Sequence, residues 1–139
     1  MFRLLAPFLL ALPFAAEASG PTAPPGWRGS YEAKLPGGQP CCQPADLNGS
    51  GLVGGAFVLI SDAKNEFAVF ALTYSSSLKA RWWLLERRPI SELSRYSVSI
   101  AIPSPGPNAG IKVCRVNLRC AMYFLPAGNA NLFKKVKVS

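Results

Sequence analysis

The sequence predicts an all-β domain, and three observations support that prediction. Apolar residues occur in short continuous runs or in strict alternation, and no segment repeats them with the period of a helix. Glycine, proline, asparagine and aspartate separate these runs and favour turns. Only residues 89–94 offer as much as one helical turn. We therefore expect a single antiparallel sheet of about six or seven strands, built from hairpins.

The chain begins with the features of a secretory signal peptide. Arg3 precedes an apolar run over residues 4–15, and residues 16–18 (Ala-Glu-Ala) fit the small-x-small rule for cleavage. The run is shorter than a bilayer span of about 20 residues, and prolines interrupt it. We therefore predict a signal peptide over residues 1–18, no membrane span, and a periplasmic or secreted protein whose compartment permits disulfides.

A segment rich in proline and glycine follows over residues 19–40. Proline removes backbone donors and glycine raises the entropic cost of ordering, so we expect a flexible arm without regular elements. Trp27 and Tyr31 are the residues of this arm that could dock on the domain. The β-domain then spans residues 41–139, which is enough chain for one core.

The predicted strands begin with a hairpin. Residues 55–60 form a continuous apolar run, and residues 66–74 are apolar on both alternating sets, which predicts a strand covered on both faces. The turn-like residues 61–65 join the two. Further strands are predicted over residues 80–86, 96–102, 111–116, 120–125 and 132–138.

Two features mark the second half of the domain. In the strand over residues 96–102 serines alternate with residues that should face the core, as in a half-exposed antiparallel sheet. The inward residues are Tyr96, Val98, Ile100 and Ile102. Residues 103–110 contain three prolines and must form a loop. Residues 126–131 are expected to form a wide hairpin turn between the last two strands.

Four cysteines in a small exported domain suggest two disulfides, with three pairings open. If residues 116–118 form a turn, Cys114 faces Cys120 across a hairpin, and we favour that bond. The alternative joins Cys41 and Cys42 to Cys114 and Cys120 in some order. The adjacent Cys-Cys spacing and an oxidising compartment argue against a zinc or redox site.

Residues 46–54, with the sequence Asp-Leu-Asn-Gly-Ser-Gly-Leu-Val-Gly, run directly into the first apolar strand. Oxygen-bearing side chains at alternate positions, with glycines between them, are how a chain wraps calcium. Asp46, Asn48 and Ser50 are therefore the candidate metal ligands. The structural alternative is a turn in which Asp46 and Asn48 accept hydrogen bonds from backbone amides. Because only Asp46 is charged, calcium affinity should be no better than millimolar.

This stretch resembles the DxNGDGxxD loop of FG-GAP (VCBS-type) repeats, which form β-propeller blades and often bind calcium. The resemblance covers residues 41–74 and, more loosely, residues 120–139. It implies a blade-like β-unit in a small exported bacterial protein, and no enzyme activity. Ser50 and Gly54 stand where the family has two further aspartates, so the implied calcium loop is degenerate.

Residues 79–88 hold four cations and two indoles. One interpretation is a basic aromatic platform for polyanions. Its candidate binding residues are Lys79, Arg81, Trp83, Arg87 and Arg88. The other is a strand whose tryptophans pack on opposite faces. Lysines 134, 135 and 137 could extend the positive surface.

Charge and composition limit the classes of function that the protein can have. The net charge is +8, and the absence of histidine excludes Ser-His-Asp and Cys-His catalysis. The acidic residues form no acid/base pair, so we predict no catalytic residue and no cofactor apart from the candidate calcium. We predict a non-enzymatic binding or scaffolding module, whose partner is an anionic envelope component or a secreted protein rather than nucleic acid. The alternative is an inhibitor of a secreted hydrolase acting through the loop 103–110, because a rigid loop loses little entropy on binding.

Overall fold

A computed structural model of the protein describes residues 22–29, 42–127 and 132–138. These residues form nine strands and one 3-10 helix, which spans Ile90–Arg95. The strands are β1 (Arg28–Gly29), β2 (Cys42–Ala45), β3 (Gly54–Ser61), β4 (Glu66–Tyr74), β5 (Ala80–Pro89), β6 (Tyr96–Ala101), β7 (Gly110–Arg115), β8 (Cys120–Phe124) and β9 (Lys134–Val138). The predicted signal peptide, the rest of the predicted arm, Cys41 and residues 128–131 of the predicted turn lie outside the described residues.

The first sheet is built around the predicted hairpin of β3 and β4. These strands pair from Gly55 opposite Leu72 to Ser61 opposite Glu66. β5 lies along the other side of β4, and β1 and β2 share the remaining edge of β3. All of these pairings are antiparallel.

The second sheet is a meander in which β6, β7, β8 and β9 pair in chain order. The all-β antiparallel prediction is confirmed, but the strands lie in two sheets rather than in the single sheet expected. The 3-10 helix carries the chain from β5 to β6, so these consecutive strands do not pair. A single layer would leave one apolar face of β4 in water, whereas two packed layers bury it. The 3-10 helix at Ile90–Arg95 matches the helical turn predicted at residues 89–94. In the described ranges, no helix is long and apolar enough to cross a membrane.

The main core lies between the two sheets. It joins inward side chains of β3 and β4 to those of β6, β7 and β8 in one buried cluster. At its centre the rings of Phe67 and Tyr96, one from each sheet, meet edge to face with centroids 5.5 Å apart. Phe67 is fully buried, so it makes the central contact between the layers.

The Gln43 side chain of β2 links the two sheets on one side of the core. Its Nε2 donates a hydrogen bond to the Val98 carbonyl oxygen at 2.9 Å, and the Ile100 amide donates to its Oε1 at 3.2 Å. The side-chain amide thus pairs with the free backbone edge of β6 as a strand would. The edges formed by β5 and β9 lie on the opposite side.

The outer face of β4 is covered by residues 22–29, which confirms that this strand is buried on both faces. The ring of Trp27 packs edge to face on Phe70 at 5.3 Å, and Trp82 Nε1 donates to the Thr22 carbonyl oxygen at 3.0 Å. The prediction of an arm without regular elements is wrong at Arg28–Gly29, which pair with β3. The docking of Trp27 is confirmed, and Tyr31 lies outside the described residues.

The proline-rich loop follows β6, as predicted, but begins earlier than expected. β6 ends at Ala101, so the prediction that Ile102 faces the core is wrong: Ile102 is 80% exposed. Ser104 organises the loop, since its Oγ donates to the Asn108 carbonyl oxygen at 2.6 Å and accepts from the Gly106 amide at 3.0 Å. The chain therefore turns away from the sheet directly after Ala101.

The favoured disulfide is confirmed. Cys114 and Cys120 are opposite each other on β7 and β8 and are bonded. Cys42 is also disulfide-bonded, and the Cys114–Cys120 bond excludes both of those cysteines as its partner. The alternative that joined Cys41 and Cys42 to Cys114 and Cys120 is therefore wrong.

Replacing both Cys114 and Cys120 with alanine is expected to lower the free energy of unfolding by about 2 kcal/mol, because the bond closes a short loop in the unfolded chain. Urea unfolding followed by tryptophan fluorescence measures the change. An unchanged midpoint and slope would contradict the prediction. The double substitution avoids a lone thiol that could exchange with the Cys42 disulfide.

Candidate anion-binding cleft

A β-bulge in β5 decides which way its basic residues point. Phe70 lies opposite Leu84, whereas the preceding Val69 lies opposite Glu86, so Leu85 is an extra residue in β5. Such a bulge reverses the alternation of the side chains that follow it.

The bulge separates two arginines that are adjacent in sequence. Glu86 and Arg88 lie opposite residues of the main core and therefore point to the same inner side as Trp83. Arg87 points to the outer side, where its Nε lies 3.5 Å from Glu66 Oε1. Strict alternation from Trp83 through Leu85, without a bulge, would instead turn Arg87 inward and Arg88 outward.

The five predicted platform residues are consequently not brought together. Lys79 is exposed just before β5. The Arg81 guanidinium stacks 3.6 Å from the centroid of the Trp83 ring. Trp83 itself donates from Nε1 to Thr73 Oγ1 at 2.9 Å and packs edge to face on Phe133. The Trp83 indole is therefore occupied by protein contacts.

A cleft of about 430 Å³ gathers a different set of cations. It lies between the end of β5 and the second sheet. In the part of the chain that the structure describes, its cationic lining consists of Arg88, Arg115, Arg119, Lys135 and Lys137, and Glu86 is the acidic residue that lines it. Of the predicted binding residues, Arg88 alone lines this cleft.

The lysines at positions 135 and 137 of β9 face the cleft because their side chains, rather than those of the β9 valines, point inward. Lys135 lies opposite Tyr123 and Lys137 opposite Ala121, and both of these β8 residues pack in the main core. Val136 and Val138 therefore point to the other side. β9 is an edge strand, where inward-facing lysines also discourage pairing with another chain.

Glu86 forms the base of the cleft, with its side chain only 9% exposed. Its Oε1 accepts a hydrogen bond from the Tyr123 hydroxyl at 3.0 Å and from Lys135 Nζ at 3.4 Å, and lies 3.5 Å from Arg88 Nη2. Burial, together with the Glu86 carboxylate, raises the pKa of Tyr123, so its hydroxyl remains a donor. The negative charge of Glu86 is thus matched within the protein.

The other cations of the cleft differ in their partners. Arg88 Nε donates to the Tyr96 hydroxyl at 2.9 Å, which raises the pKa of Arg88. Arg115 lies 3.6 Å from the Glu92 carboxylate. Among the described residues, Arg119 and Lys137 have no ion-pair partner. Two positive charges at the rim are therefore available to a ligand.

The Asp46 loop is closed by its own backbone. Asp46 Oδ1 accepts from the Gly49 amide at 2.9 Å and Oδ2 from the Gly51 amide at 2.8 Å. Asn48 Nδ2 donates to the Tyr74 carbonyl oxygen at 3.0 Å, which fastens the loop to the end of β4. These contacts form the hydrogen-bonded turn predicted as the alternative to a calcium loop.

Ser50, the third candidate ligand, also forms hydrogen bonds within the loop. Its Oγ accepts from the Leu52 amide at 3.3 Å, and its own amide donates to Asn48 Oδ1 at 3.4 Å. Across the described ranges, no group of three or more His, Cys, Asp or Glu residues could hold a metal ion. Weak calcium binding at Asp46, Asn48 and Ser50 stays a prediction.

Replacing Asp46 with alanine is expected to lower the free energy of unfolding by about 1 kcal/mol, because two loop amides lose their acceptor. Asp46→Asn, which keeps one acceptor oxygen, should recover part of the loss. Thermal unfolding with a chelator and with added calcium measures both effects. A melting temperature that rises at micromolar calcium in the wild type, but not in Asp46→Ala, would contradict the millimolar limit.

Arg115 and Arg119 line the cleft but are not among the binding residues predicted from the sequence. The signal was present as Arg-Val-Asn-Leu-Arg between two cysteines, a hairpin with an arginine at each base. If Cys114 and Cys120 are expected to bond, these arginines are expected at the two ends of the turn between the bonded strands. Their convergence with Arg88 depends on the bulge in β5 and on the packing of the two sheets.

Comparison of the chain with protein-family models, with curated proteins and with solved structures gives no match. The resemblance of residues 41–74 to FG-GAP repeats therefore stays a prediction.

Proposed function

We propose that the protein is a non-enzymatic binding module for an anionic ligand, and that the cleft between β5 and the second sheet receives the ligand's charged group. One observation carries the proposal: cations from β5, β7, β9 and the β7–β8 turn converge on one cleft. The acid at its base, Glu86, is already engaged by Tyr123, Lys135 and Arg88. An incoming anion therefore meets a surplus of positive charge.

The chemistry of the lining favours phosphate or carboxylate. An arginine fork matches two oxygens of either group, and a lysine adds a point charge. Arg119 and Lys137 can supply both kinds of contact without first breaking an ion pair. Val113 and Ala121 form apolar parts of the wall, which strengthen charge interactions by excluding water.

The proposed ligand is an anionic component of the bacterial envelope. The predicted signal peptide would place the protein outside the cytoplasm, and the Cys114–Cys120 disulfide suits an oxidising compartment. The net charge of +8 favours association with anionic surfaces. Export removes cellular nucleic acid from the expected partners.

The test is calorimetric titration with inositol hexakisphosphate, a soluble polyanion, at low and at high salt. The wild type should bind at low salt and weaken as salt rises. Arg119→Glu combined with Lys137→Glu should weaken binding by about tenfold or more, because the two unpaired charges at the cleft are reversed.

Lys79→Glu combined with Arg81→Glu is the matched control, since it changes the net charge equally but lies in the platform predicted from sequence. We expect it to change the affinity by less than about threefold. Equal losses in the two double variants, or no binding by the wild type at low salt, would contradict the proposal. Circular dichroism checks that both variants are folded.

A second candidate function rests on the proline-rich loop. The hydrogen bonds of Ser104 hold the loop in one conformation, while an apolar edge of the loop stays exposed. The exposed residues are Ile102, Pro103, Pro105 and Pro107. A pre-ordered loop suits inhibition of a secreted hydrolase, because little entropy is lost on binding. Retention of one hydrolase at equal stoichiometry from an envelope extract, abolished by Ile102→Ser, would favour this function over the first.

A further inference from the structure

The turn between β7 and β8 presents two apolar side chains beside the cleft. Val116 is 61% exposed and Leu118 is 58% exposed. Arg115 and Arg119 flank them, and Leu118 also lines the cleft. Apolar groups at a hairpin tip, with cations at its base, form an amphiphilic surface.

The turn is held in one conformation. The Cys114–Cys120 bond clamps its base, and the Leu118 amide donates to the Arg115 carbonyl oxygen at 2.9 Å. The Val116 amide donates to the Arg95 carbonyl oxygen at 2.8 Å, which fixes the turn to the end of the 3-10 helix. The tip is therefore pre-organised, and a partner would not have to order it.

We propose that the tip docks on an anionic phospholipid bilayer, with Val116 and Leu118 inserted at the boundary between headgroups and acyl chains. This inference rests on the proposed function, because the cleft cations would bind the lipid phosphates. Arg119 and Lys137 are best suited to bind the phosphates, because neither has an ion-pair partner among the described residues. Apolar insertion and attraction to anionic headgroups together are what bind peripheral proteins to such surfaces.

The shape of the surface favours a bilayer over a protein partner. A specific protein interface needs about 1,000 Å² of matched surface, whereas two side chains on a narrow turn offer much less. A bilayer accepts a small protruding tip without complementary shape. The charge around the tip is positive, which complements anionic headgroups.

Flotation with vesicles tests the inference. Vesicles of phosphatidylglycerol mixed with phosphatidylcholine should bind the protein, and vesicles of phosphatidylcholine alone should not. Val116→Ser combined with Leu118→Ser should reduce partitioning by about tenfold or more. Val53→Ser combined with Leu78→Ser is the matched control, since these residues are 61% and 71% exposed elsewhere. We expect the control to bind as the wild type does.

Calorimetry with inositol hexakisphosphate separates the two proposals. Retained binding of the soluble anion by Val116→Ser/Leu118→Ser, with loss of vesicle binding, supports insertion of the tip. Wild-type protein that binds the soluble anion but no vesicle overturns this inference and leaves the proposed function standing. Vesicle binding lost in Arg119→Glu/Lys137→Glu but unchanged in the tip variant also overturns insertion. Failure to bind either probe overturns both proposals.

Discussion

Replacing Gly54 with alanine is expected to lower the free energy of unfolding by about 3 kcal/mol or more, a large part of the stability of a small domain. A Cβ at this position would overlap the carbonyl group of Leu72, a backbone group in the centre of the first sheet. Backbone cannot yield as the end of a flexible side chain can. Either β3 or β4 must shift, and the shift would disturb the fully buried residues on both faces of β4.

Gly51→Ala is the matched control for this substitution. Gly51 has a φ of 86°, which an alanine adopts at a cost of about 1 kcal/mol, but its added Cβ would meet no atom within 4 Å. Urea unfolding of both variants, followed by circular dichroism, separates steric overlap from backbone strain. Equal stability of the two variants would contradict the close approach of β3 to β4 at Gly54.

Truncating Phe67 to alanine is expected to lower the free energy of unfolding by about 3–5 kcal/mol, as for other large residues removed from a core. Phe67 is 1% exposed and contacts Tyr96 across the space between the sheets. The cavity would open between two layers whose strands are fixed by their hydrogen bonds, so little collapse can offset it. Near-ultraviolet circular dichroism should also lose intensity, because Tyr96 loses its aromatic neighbour.

Leu84→Ala is the control for Phe67→Ala, since Leu84 is 46% exposed on the outer side of the same sheet. We expect it to cost about 1 kcal/mol or less. Similar losses in the two variants would contradict the assignment of Phe67 to a core between two sheets. Denaturant midpoints and slopes for both proteins provide the comparison.

Strand positions and burial on both faces of β4 follow from local sequence. The runs at residues 55–60 and 66–74, with five turn-forming residues between them, can pair only with each other at short range. The alternation that begins at Tyr96 likewise predicts a half-buried strand. Local pattern shows which faces are buried, but it does not show which distant strand covers them. For that reason the sequence predicted one sheet where the structure has two.

The cleft depends on features that local pattern does not contain. A bulge at Leu84 and Leu85 places Arg88 inside and Arg87 outside, and both sequence positions are equally basic. Lys135 and Lys137 face inward although alternation would assign the valines of β9 to the core. Proximity along the chain predicts a single platform over residues 79–88. The pairing of β4 with β5 divides that platform between two faces.

Amide chemical-shift mapping with isotope-labelled protein distinguishes anion binding at the cleft from anion binding at the linear basic stretch, residues 79–88. Inositol hexakisphosphate is added in steps, and each amide is followed. If anions bind at the cleft, we expect the largest shifts at residues 86–88, 113–121 and 135–137, and we expect the Trp82 indole signal to stay in place. Largest shifts at residues 79–83 or 46–54, or small shifts spread evenly over the surface, would contradict binding at the cleft.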